Sequence, residues 1–86
     1  MPAITTIVAA GNTMAPSLAE VRALGYKVSR GTDCGGAYVA EGLNCRLVAD
    51  DPLALLGLLK LFELRGRNWQ PTDDEVSAFL VLEDEA

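Results

Sequence analysis

The chain has 86 residues, half of them hydrophobic, with a net charge of −5 and no histidine. That length suits one domain with a modest core, and the apolar half argues against disorder. Seven scattered basic residues offer little to nucleic acid or an anionic membrane, and the missing histidine removes Ser-His-Asp and Cys-His catalysis and a four-ligand zinc set.

Residues 3–9, AITTIVA, are β-branched and uncharged, the composition of a strand covered on at least one face. Without a positively charged n-region they read as a first strand and not as a signal peptide, so cytoplasmic residence is expected. Gly11, Asn12 and Thr13 then break the strand. The following helix has two possible starts: Ser17 with Glu20 as a capping box, or an opening near Thr13 that puts Pro16 inside the first turn. Leu18, Val21 and Leu24 share a face, and Gly25 ends the helix.

Residues 26–30, YKVSR, alternate as a second strand, which a right-handed βαβ crossover would make parallel to the first. After the flexible stretch GTDCGG, residues 37–41 and 44–49 form a hairpin about Gly42 and Leu43. Tyr38 and Ala40 then face one way and Val39 and Glu41 the other.

Residues 51–67 hold the only long apolar segment with both ends marked. Asp51 is placed to cap, Pro52 suits the first helical position and Gly66 the stop. Seven leucines and Phe62 lie between Leu53 and Leu64. At 100° per residue Leu55, Leu58, Leu59, Leu61 and Phe62 cover one broad side. The opposite arc centres on Lys60, carries Glu63 and Arg67 as an i,i+4 pair, and still holds Leu53, Leu56 and Leu64. Either the C-terminal segment or a partner must cover that arc. The run is too short to span a membrane, which takes roughly 20 apolar residues. Thr72 and Glu75 make a capping box for a last helix with a stripe of Val76, Phe79 and Leu80, and residues 83–86 form an acidic tail.

The expected fold is a two-layer α+β or α/β sandwich, β-α-β-β-β-α-α, with a four-stranded mixed sheet and helices on one face, one compact domain over residues 1–86. The outer sheet face would carry Lys27 or Val28 with Glu41 and Arg46.

Three features bear on chemistry. The stretch AGNTMAPS resembles the phosphate-cradling loop of phosphotransferase-system IIB domains, in which a phosphorylated cysteine precedes Gly-Asn. Ala10 stands in place of that cysteine and Ala15 in place of a loop glycine, so the resemblance does not extend to phosphoryl transfer; what stays open is a small-ligand or anion site at Gly11, Asn12, Thr13 and Ser17. Cys34 sits in a flexible loop beside Asp33, a charge that opposes thiolate formation, and Cys45 falls inside a strand pattern. Asp50, Asp51, Asp73, Asp74 and Glu75 all stand at helix starts and match no metal spacing, and no cofactor motif is present.

The reading that results is a small acidic protein-interaction module without catalytic activity, of the size and charge of small bacterial regulators, adaptors or immunity proteins. Its partner is a protein or a second copy, a homodimer in the latter case, engaged through Leu53, Leu56, Lys60, Leu64 and Trp69. Trp69 either closes the junction between the last two helices or anchors that interface.

Overall fold

The structure, a computed structural model, describes residues 3–31 and 35–85. Its elements in chain order are a 3-10 turn Gly11–Thr13, helix α1 (Met14–Ala23), strands β1 (Lys27–Gly31), β2 (Ala37–Glu41) and β3 (Arg46–Ala49), helix α2 (Pro52–Arg65), a 3-10 turn Gly66–Asn68 and helix α3 (Asp73–Asp84).

Helix α1 takes the earlier of its two starts. Ser17 lies inside it and donates its hydroxyl to the Thr13 carbonyl at 2.6 Å, while Thr13 donates to the Ala10 carbonyl at 2.7 Å. Gly25 ends the helix at φ 93°, a conformation a side chain would strain. In α2, Asp51 accepts from the Ala54 N–H at 2.7 Å with Pro52 next to it, the N-terminus the sequence specifies.

Among the described residues the sheet is three-stranded and antiparallel, in the order β1-β2-β3, not four-stranded and mixed. The expected strand at residues 3–9 does not form and joins no ladder, and the parallel crossover built on it falls with it. The reason lies in pairing. β-branched composition says that a segment fits a pleated, half-covered surface, but an edge must be offered to it. Here β1 pairs with β2, Val28 opposite Ala40 and Arg30 opposite Tyr38, so this antiparallel pair replaces the expected parallel one.

Both helices α1 and α2 pack on one face of the sheet. Val21 of α1, Ala40 of β2 and Leu55 and Leu59 of α2 form the buried cluster, joined at its margin by Tyr26, Val28, Tyr38, Leu47, Ala49 and Leu56. Val28 thus faces inward and Lys27 outward. On the outer face Val39 is also buried, between Ser29 and Val48 on the neighbouring strands. The Arg30 guanidinium stands 4.7 Å from the Tyr38 ring centre and donates to the Gly36 carbonyl, steadying the end of the hairpin.

Helix α3 stands apart from this body. Its capping box forms, with the Glu75 N–H donating to Thr72 Oγ1 at 3.2 Å and the Thr72 N–H to Glu75 Oε1 at 2.7 Å. Yet none of its residues is buried, and Glu83 and Asp84 of the expected tail lie within it. The radius of gyration, 15.3 Å, exceeds the about 12 Å expected of a compact domain this long.

Candidate functional site

β3 is an edge strand, and α2 crosses behind it. Between them runs an open groove of about 460 Å³. One wall is the run from Asn44 to Val48; Leu58, Leu61 and Phe62 of α2 form the apolar floor, and Arg67 and Trp69 close the end. The circumference of α2 is therefore divided. Leu55 and Leu59 enter the core, Leu56 packs at its margin, and Leu58, Leu61 and Phe62, half-buried, face the groove. The sequence marks these five as one broad apolar side, apart from Leu56; the groove goes unnoticed there because its walls come from stretches well separated along the chain, and Trp69 alone hints at it.

The β3 wall has backbone to offer. Gly42 donates to the Cys45 carbonyl at 2.8 Å, which makes that a hydrogen-bonded pair. Alternation along the antiparallel ladder then makes Val39 and Val48 a non-hydrogen-bonded pair, so the N–H and C=O of Val48 point to the outer edge. Cys45, a free and half-buried thiol, lies at the near end beside Tyr26. Burial first, then the neighbouring Cys45 and Glu63, push the Tyr26 hydroxyl above its ordinary value.

The expected interaction residues do not form one surface. Leu53 and Leu56 are half-buried; Lys60 is exposed and meets Glu63 at 3.5 Å; Leu64 is exposed, and Trp69 sits half-exposed at the groove. Helix α3 does not cover this arc. The larger apolar surfaces lie elsewhere, on Ile4, Ile7 and Val8 before α1 and on Val76, Phe79 and Leu80 of α3, all exposed.

At the Gly11 loop the structure brings Gly11, Asn12, Thr13 and Ser17 together, but both hydroxyls are donated to the chain's own carbonyls. Thr32, Asp33 and Cys34 lie outside the described residues. Among the described residues no cluster of three or more Cys, Asp or Glu is placed to hold a metal ion, and no helix is long and apolar enough to cross a membrane. No protein-family model matches the chain, and neither does a curated protein or a solved structure.

Proposed function

We propose that this protein is a small interaction module that works by binding another protein surface and not by catalysis. The observation that carries this reading is the amount of apolar side chain the fold leaves uncovered. Ile4 is 92% exposed, Ile7 80% and Phe79 58%, in a chain whose own buried core is built from residues as few and small as Val21, Val39, Ala40, Leu55 and Leu59. Scattered exposed leucines are ordinary in soluble proteins, but two contiguous apolar segments on one small domain mark a binding surface. The alternative, an anion or small ligand at Gly11, Asn12 and Thr13, has less support, because the Thr13 and Ser17 hydroxyls are donated inward.

Amide exchange on the full chain at low micromolar concentration, together with binding of an apolar fluorescent dye, tests the reading. Residues 3–10 and helix α3 should exchange fast in the dilute chain and slow when their partner is present, and the dilute chain should bind the dye. Slow exchange of both segments in a dilute monomer that binds no dye would mean that the chain buries them itself, and the reading fails.

A further inference from the structure

Resting on that reading, we infer that the partner is a second copy of this chain, and that the two copies exchange residues 3–10, each segment adding as a fourth strand to the β3 edge of the other and filling the groove over Leu58, Leu61 and Phe62.

The area argues for a second copy. The accessible surface of the chain is 6850 Å², about 2,000 Å² more than a folded monomer of 9.1 kDa presents. Part of that excess belongs to α3, which the exchange leaves exposed, but covering even half of it on each of two copies removes about 2,000 Å² in total, where obligate homodimers begin. A loose crystal-type contact or a transient encounter would need far less.

The chemistry of donor and acceptor argues for this exchange in particular. Residues 3–10 read ITTIVA between alanines: β-branched, uncharged, without proline or glycine, and long enough, at about 3.3 Å per residue, to run the length of β3. In their own chain they pair with nothing in the sheet, and their side chains are exposed. The acceptor is an open strand edge, with the Val48 N–H and C=O facing out, over an apolar floor. This is the arrangement in which an extended peptide adds to a sheet: backbone bonds supply affinity, and alternate side chains enter the groove. Ile4, Thr6 and Val8 share one face of such a strand, so two branched apolar residues reach the floor together.

Symmetry completes the case. Donor and acceptor sit on the same chain, so one exchange generates the other by a two-fold axis, and the assembly closes at two copies with the β3 edge covered on both. The four-stranded sheet that the sequence announces is then present, with its fourth strand supplied in trans. Charge is compatible as well. Each copy carries a net −5, which opposes association at a distance, but the exchanged segment contributes no charge to the contact. Added salt should therefore tighten the dimer.

The test joins mass to contact. Light scattering on the eluting full chain, over a concentration series, should give about 18 kDa, twice the 9.1 kDa chain. In a dimer mixed from differently isotope-labelled copies, Ile4 and Val8 should show intermolecular contacts to Leu58, Leu61 and Phe62. Val48→Pro removes an N–H that the hairpin itself does not use, and should raise the dimer dissociation constant at least about ten-fold. Val8→Asp, on the groove-facing side of the donated strand, should do the same while leaving β1 to β3 untouched. A dimer whose intermolecular contacts spare residues 3–10 overturns the exchange. So does a 9.1 kDa monomer with those residues exposed, but this outcome leaves a heterologous partner for the same surface. A monomer in which residues 3–10 contact their own groove overturns both the exchange and the proposed function.

Discussion

Arg65, in the last turn of α2, and Glu75, in the first turn of α3, form a two-pronged ion pair in which Nη1 donates to Oε1 at 3.0 Å and Nη2 to Oε2. The same Glu75 also accepts from the Thr72 N–H, so one carboxylate both starts α3 and ties it to α2. Both side chains are partly exposed, which limits the energy of the pair in water.

Removing the two sides of this pair should have unequal effects. Arg65→Ala loses a partly exposed ion pair and should cost at most about 1 kcal/mol. Glu75→Ala loses the pair and the Glu75 half of the capping box together, a further loss of about 1 kcal/mol of local helix stability. A single helix of 12 residues is marginal in water. Amide exchange in α3 should therefore quicken more for Glu75→Ala than for Arg65→Ala, while the amides of β2 stay protected in both.

The faces of α2 should separate in urea. Leu55 is fully buried, so Leu55→Ala removes core contacts and should cost about 2–5 kcal/mol. Leu64 is 72% exposed, and Leu64→Ala should lie within about 0.5 kcal/mol of the parent protein in its monomeric form. Equal costs at the two positions would mean that the Leu64 side of α2 is packed.

Gly42 lies against an aromatic ring. A Cβ built there would stand 2.9 Å from Cε2 of Tyr26, so Gly42→Ala must displace the ring or the turn. The expected cost is about 1–3 kcal/mol by overpacking. Gly57 has open space at the same point, and Gly57→Ala in the middle of α2 should stabilise by about 0.5–1 kcal/mol.

Tyr26 gives the alkaline limb of stability. Its hydroxyl is held above 10.0, chiefly by burial and then by Cys45 and Glu63. The unfolded chain therefore loses this proton first, and stability falls as pH rises from about 10 through the folded value. Below that window the contribution is fully present. Tyr26→Phe should flatten the loss above pH 10, seen as a smaller drop in the urea midpoint between pH 9 and 11.

What was legible in the chain follows the range of the interactions. Asp51, Thr72 and Glu75 set helix starts through bonds spanning three residues, Pro52 does so by its fixed φ at the first helical position, and each does in the structure what its sequence position implies. The alternation of Tyr38 and Ala40 against Val39 and Glu41 likewise carries over into the sheet. Strand pairing is not local. The β-branched character of residues 3–9 marks a segment suited to a sheet without saying which edge receives it, and no edge of its own chain does. The apolar arc of α2 was visible, but its division among core, margin and groove depends on where β3 lands. So Leu53 and Leu56 proved half-buried, and Leu58, Leu61 and Phe62 became the floor of an open site.

The single tryptophan of the chain is Trp69, and it stands half-exposed at the end of that groove. The protein thus carries its own optical probe at the place where occupancy matters. With no other indole to obscure the signal, a strand entering the groove and excluding water from the ring should move the emission maximum to shorter wavelength. Dilution into buffer should reverse the shift at the rate at which the strand leaves, so the lifetime of the occupied groove can be read from unmodified protein by its fluorescence alone.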